Sequence, residues 1–253
     1  MSNLKLFLLN IVMLIGFFLN AQSADVLFLN ANGFYKNENY EQAIKQYQAI
    51  EKQGLVSADL YFNMGNCYYK QNSVAYAVYY YEKALKLDPN HSDASQNLIF
   101  AKRMTIDAIE EIPKTFLQRF STNIIQKFDY NTWALGAILG SVLTTLLFLV
   151  YYFSERSSIK LLFFNASIFA MFLMSVSLIF AYINFETVQK NSGAVIFSPK
   201  VEVTNAPASN GEVSFVLHEG TKVIILDQTE NWRKIKIADG KEGWIRITEI
   251  KEI

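Results

Sequence analysis

Trp133–Phe153 reads WALGAILGSVLTTLLFLVYYF, and Leu161–Phe185 reads LLFFNASIFAMFLMSVSLIFAYINF; neither contains a charged residue. Each is long enough to cross a hydrocarbon core of about 30 Å as a helix of about 20 residues. Between them lies Ser154–Lys160 (SERSSIK), too short for more than a tight turn. In lipid each backbone amide must be satisfied within its own helix, so the two stretches read as a helical hairpin. The hairpin returns the chain to the side it came from, and the polar segments before and after it share one compartment. Arg156 and Lys160 outnumber Glu155 in the turn. Basic residues in short loops favour the cytoplasm, which puts the turn inside and both flanks outside.

The N-terminus is consistent with that orientation. Lys5 precedes the apolar core Leu6–Leu19 (LFLLNIVMLIGFFL), and Asn20–Ala24 is small and polar. This is the three-part layout of a secretory signal peptide over residues 1–23, with an uncleaved anchor as the alternative. The chain has 253 residues, 51% hydrophobic and 18% charged, and 23 basic residues balance 23 acidic ones. No basic field argues for nucleic acid. The single cysteine, Cys67, excludes an intramolecular disulfide. With only His91 and His218 in the chain, a metal site is not expected, nor is a cofactor or catalytic set.

Residues 24–103 repeat at an offset of 34. Ala31 falls on Gly65, Ala43 on Ala77 and Tyr47 on Tyr81, and Pro89 closes the second unit. The pattern resembles the tetratricopeptide repeat, with units at about 24–57 and 58–91 and a capping helix at 92–103. Small residues are needed where the two helices of a unit pack closely, and the aromatic residues fill the space around that contact. Repeat 1 lacks the closing proline near Leu55. By resemblance, the first helix of each unit lines a concave peptide groove. That face would present Asp25, Phe28, Asn32, Tyr35 and Lys36 in repeat 1, and Asp59, Phe62, Asn66, Tyr69 and Lys70 in repeat 2. Asn offers a donor and an acceptor to a peptide backbone, and Tyr and Phe offer rigid contact area. Asn32, Asn63 and Asn66 resemble part of a carboxylate clamp. Its basic partners are replaced by Asp93 and Asn97.

Residues 104–132 form a connector and an amphipathic segment. Phe116, Leu117, Phe120, Ile124 and Phe128 make a helical stripe, suited to a membrane surface or to packing on the repeats. In the hairpin, Gly136 and Gly140 form GxxxG, and Asn165 is the most polar residue well inside a span. Residues 193–253 return to short alternating apolar runs. Asn210-Gly211, Glu219-Gly220 and Asp239-Gly240 punctuate them as turns, as expected of a small all-β barrel. The order Leu217-x-Glu-Gly-Thr, Trp232 and Asp239-Gly-x-x-Gly-Trp244-Ile resembles a bacterial SH3-type domain. Trp232 and Trp244 are its candidate ligand face, with core or rim packing as the alternative.

Signal peptide, repeats, hairpin and SH3-like barrel in this order resemble the BatE-type proteins of the Bat aerotolerance group. The resemblance implies a non-catalytic periplasmic scaffold on the bacterial inner membrane. It also implies partners among von Willebrand factor A-domain membrane proteins with a MoxR-type ATPase. Peptidoglycan binding through the barrel is the alternative.

Overall fold

The computed structural model describes residues 24–110, 112–113, 115–190 and 192–253. The signal-peptide expectation for residues 1–23 lies outside them. The architecture is the expected one: helical repeats, two long apolar helices and a C-terminal antiparallel β domain. One compact unit joins the chain up to Glu110 with Gly193–Ile253; the second is formed by the residues between.

In the first unit the repeats supply α1 (24–36), α2 (Tyr40–Lys52), α3 (Ala58–Lys70), α4 (Val74–Leu87) and α5 (Ser92–Lys102). The 34-residue period extends to the turns. Glu38 and Asn72 both take positive φ, 59° and 57°, between the helices of their repeats. The Ser57 side chain caps α3 by accepting from Leu60 N, and His91 caps α5 by accepting from Ala94 N. The missing proline of repeat 1 is replaced by Gly54, whose φ of +76° ends α2 at a conformation that favours glycine. The small residues have the expected reason. A Cβ on Gly65 would lie 2.6 Å from two ring atoms of Tyr81, which is fully buried.

The C-terminal strands are β1 (Ser192–Ile196), β2 (Lys200–Thr204), β3 (Val213–His218), β4 (Lys222–Thr229), β5 (Trp232–Lys236), β6 (Glu242–Arg246) and β7 (Ile250–Glu252). Their order is β3-β2-β6-β5-β4-β1-β7. Leu217 on β3 and Ile250 on β7 share one core with Val203, Val223, Ile235 and Ile245, so the sheet curls around its interior. Strand β7, absent from the sequence reading, pairs with β1.

Strand β1 is buried on both sides. Ala194 and Ile196 point into the barrel core, while Val195 belongs to the core of the repeat domain. Around it Phe197 meets the rings of Tyr76 and Tyr79 edge-on at 4.8 and 5.7 Å. Lys251 Nζ sits 4.4 Å from the Tyr76 ring centre and 4.3 Å from that of Phe197. Glu82, only 7% exposed, pairs with Lys102 of α5 at 3.2 Å and with Lys222 of β4 at 2.6 Å. The barrel is therefore docked on α4 through apolar, aromatic and ionic contacts, and Lys102 of α5 shares the Glu82 carboxylate with Lys222.

In the second unit α7 (Tyr130–Phe153) and α8 (Ser157–Lys190) run antiparallel. Trp133 meets Phe180 at one end and Tyr151 meets Phe164 at the other. Both helices are longer than the apolar stretches, and only Ser154–Arg156 separates them. Asp129 caps α7 from outside the apolar run by accepting from Thr132 N. Gly136 and Gly140 face α8: a Cβ would come 2.9 Å from Ser177 Oγ and 3.1 Å from Met174 Cβ. The GxxxG face is thus occupied within the hairpin.

The amphipathic stripe is broken. A short helix, α6 (Phe116–Phe120), leads into a π turn at Ser121–Ile125. Phe116 and Leu117 stay exposed, and the buried residue is Ile125, which the stripe omitted. The cause is polar. Ile125 O accepts from Trp133 Nε1 at 2.9 Å, and Asn184 Nδ2 donates to Phe128 O at 2.6 Å.

Two outcomes follow. Gly65→Ala forces a methyl against Tyr81 and costs about 1–3 kcal/mol, read as a lower midpoint in chemical denaturation. Glu82→Ala costs about 1–2 kcal/mol and speeds amide exchange in β1. The full penalty for breaking a buried pair is not reached, because Lys102 and Lys222 keep 43% and 40% exposure.

Candidate functional site

The face proposed from the repeats is organised by a ladder of amides. Asn32 Oδ1 accepts from Tyr47 OH at 2.5 Å and from Asn63 Nδ2 at 3.5 Å. One repeat later, Asn66 Oδ1 accepts from Tyr81 OH at 2.7 Å and from Asn97 Nδ2 at 2.8 Å. Each acceptor oxygen is consumed by its own repeat and the next. The tyrosine hydroxyls that feed the ladder are held protonated: burial pushes Tyr47 and Tyr81 well above the usual phenol range. The ladder therefore carries no charge and leaves Asn66 Nδ2 as a donor toward the open side.

The predicted residues separate into two places. Tyr35, Asn66, Tyr69 and Lys70 line a cavity of about 210 Å³ together with Asn97 and Phe100 of α5. Asp25, Phe28 and Asp59 lie at a second, shallower depression. Lys36 is exposed outside both, and Asn32 and Asn63 sit in the ladder between them. The Phe62 and His91 rings meet tilted, with centres 4.9 Å apart, and Asp59 Oδ1 lies 3.4 Å from His91 Nε2. These two residues thus also hold the start of α5.

Asn97 and Phe100 were missed as lining residues. The 34-residue offset places Asn97 on Asn63 and Phe100 on Asn66, and that was the available signal. The cavity is smaller than a small-molecule pocket, usually about 300–1,000 Å³. Cys67, next to Asn66 in sequence, faces the core instead. Burial pushes its thiol up to about 12, so it is not a nucleophile. Among the described residues no group of three or more His, Cys, Asp and Glu side chains converges on a common point.

On the barrel, Trp232 stands opposite Arg246 and Lys234 opposite Trp244 in the β5–β6 pair. Both tryptophans are therefore on one face, half-buried, with the Arg246 guanidinium 5.6 Å from the Trp232 ring centre. Lys234 is tied to Glu242 at 2.9 Å. The opposite face supplies Ile235 and Ile245 to the core.

A polar clamp holds the connector to the barrel, and no sequence motif marks it. Asp107 Oδ2 accepts from His218 N at 2.7 Å and Thr221 Oγ1 at 2.6 Å, and Oδ1 lies 2.7 Å from His218 Nδ1. Ile109 packs on the barrel core beside it. Partial burial works to raise the Asp107 pKa, but the bonds from Thr221 and His218 outweigh it and hold the carboxyl below the usual range.

Comparison with known proteins agrees with both modules. Residues 58–91 match the tetratricopeptide repeat family, and residues 198–252 match the bacterial SH3 domain family. Over 95 residues the chain is 35% identical to the human intraflagellar transport protein 88 homolog. That alignment covers 37% of this chain and 10% of the human protein, so the chain spans about a tenth of that relative's length. Repeat and SH3 modules of these kinds typically bind other proteins rather than catalyse. The chain is accordingly a protein-interaction scaffold, with two helices among the described residues long and apolar enough to cross a membrane.

The Asp107 clamp has a defined pH dependence. A carboxyl whose folded pKa is lowered stabilises fully above its unfolded pKa, about 3.9, and loses that stabilisation as pH falls through the folded value. Proteolysis of the connector is expected to stay slow at neutral pH and to accelerate below about pH 4. Asp107→Asn is expected to be cleaved faster at pH 7, with a flatter acid response.

Proposed function

We propose that this protein is a membrane-anchored scaffold that grips an extended segment of a partner protein in the cavity between α1, α3 and α5. The single supporting observation is the shared lining: Tyr35, Asn66, Tyr69 and Lys70 from two repeats, joined by Asn97 and Phe100. Tyr69, Tyr35 and Phe100 offer apolar walls, Asn66 offers an amide to a peptide backbone, and Lys70 offers a cation at the rim.

The anchor is the α7–α8 hairpin. The apolar stretches of both helices are largely uncovered, whereas the core helix of a soluble protein would be mostly covered. Two crossings return the chain to its starting side. Docking of the barrel on the repeats requires that same arrangement, which supports one compartment for both modules. The basic turn and the N-terminal layout favour the periplasm. The resemblance to the Bat group favours von Willebrand factor A-domain membrane proteins with a MoxR-type ATPase as the complex, and a role in aerotolerance or envelope stress.

Photo-crosslinking in cells tests the groove. A photoreactive residue at Tyr69 is expected to yield an adduct with a membrane protein, and one at Lys45, an exposed position on α2, is expected to yield none. The adduct is expected to fall at least several-fold with Lys70→Glu. Equal labelling from both positions would remove the groove from the reading. The same chain with Trp232→Ala and Trp244→Ala should keep the adduct; its loss would shift recognition to the barrel.

A further inference from the structure

We propose that the outer face of α8 is a homodimer interface in which the Asn165 amide pairs with Asn165 of a second copy. The proposal rests on the membrane-spanning reading of the hairpin.

The observation is a contrast between two asparagines on one helix. Asn184 is 5% exposed, and its amide donates to the carbonyls of Phe128 and Ile125. Asn165 is exposed, and among the described residues its amide has no hydrogen-bond partner. It lies eight residues into α8 and four residues, about 6 Å along the helix axis, inside the uncharged stretch that starts at Leu161. Ser and Thr within the two apolar helices satisfy themselves. Ser175 Oγ donates to Met171 O at 2.9 Å, and Thr144 and Thr145 donate to carbonyls four residues back. A carboxamide carries two donors and an acceptor and cannot be satisfied this way. Left in hydrocarbon it is costly, and pairing with another helix removes that cost.

The surroundings of Asn165 fit a helix partner. Asn165, Ile168, Phe172, Ser175, Ile179 and Tyr182 recur at alternating spacings of three and four, the seam of two helices side by side. The apolar members are 48% to 66% exposed. The buried face of α8, through Ala170, Ser177 and Asn184 at seven-residue spacing, is on the other side. The GxxxG face of α7 is already filled, so this stripe is the free seam that also carries an unsatisfied polar group.

A second copy is the occupant the chemistry selects. Two copies inserted the same way place their Asn165 residues at one depth on a two-fold axis along the membrane normal. An amide is complementary to itself, giving two hydrogen bonds across that axis. One asparagine at a seam position also sets register and partner number.

The test uses the full chain in native membranes, with one cysteine introduced at Ile168 on the seam or at Leu173 off it. Cys67 is buried with its thiol pKa raised to about 12, and does not compete. Mild oxidation is expected to give a covalent dimer from Ile168→Cys and not from Leu173→Cys. Adding Asn165→Leu should reduce that dimer several-fold, and Asn165→Gln should retain it. Equal cross-linking from both positions, no dimer, a link to a different protein, or indifference to Asn165→Leu would overturn the proposal. Resistance to carbonate extraction is measured on the same membranes. A chain that is extracted overturns the membrane reading and the dimer together; a chain that stays without cross-linking overturns the dimer alone.

Discussion

The carboxylate of Glu82 is buried between Lys102 and Lys222, two residues from different domains. A buried carboxylate without cations is strongly disfavoured, so the charge on α4 is matched only when α5 and β4 are both in place. The same requirement explains the apolar partners around it. Val195 is fully buried because β1 has the barrel on one side and the repeats on the other. Lys251 covers the Tyr76 and Phe197 rings at the seam's edge, and Asp107 ties the connector to the β3–β4 turn. A short repeat array needs its apolar surface covered, and here part of the cover is the chain's own barrel.

With the barrel on α4, the cavity lined by α1, α3 and α5 stays open. The amide ladder makes that surface rigid. Asn32 and Asn66 each collect one hydroxyl from their own repeat and one amide from the next, so the spacing of the helices is set by hydrogen bonds as well as packing. A preorganised face loses less conformational entropy on binding than a mobile one. In the hairpin the same logic recurs. Asn184 and Ser177 spend their polar groups on carbonyls of the segment beside them, leaving Asn165 as the exception.

Much of this was legible in the sequence, and the reason is periodicity. A 34-residue offset, two long uncharged runs and alternating strands bounded by Gly turns each report local geometry. They therefore locate the repeats, the hairpin helices and the barrel. The lining of the cavity was half legible. Tyr35, Asn66, Tyr69 and Lys70 were found because they recur, whereas Asn97 and Phe100 became visible only as the wall that α5 adds. The amphipathic stripe misled, because apolar spacing does not register where a polar carbonyl must go. Ile125 is buried because its carbonyl has to meet Trp133 and Asn184.

Taken alone, the sequence determined the kinds of module, their order and the even number of apolar helices between the two polar segments. Those properties depend on neighbours a few residues apart. Tertiary structure alone decided that the barrel sits on the repeats, that Glu82 ties it to α4 while Asp107 ties it to the connector, and that the GxxxG face is consumed within the hairpin. Each of these depends on partners far apart in the chain. Asp107 and His218 are separated by 111 residues, and Glu82 and Lys222 by 140. No local pattern encodes such a pairing; it follows from burying charge and apolar surface together when the two modules close on each other.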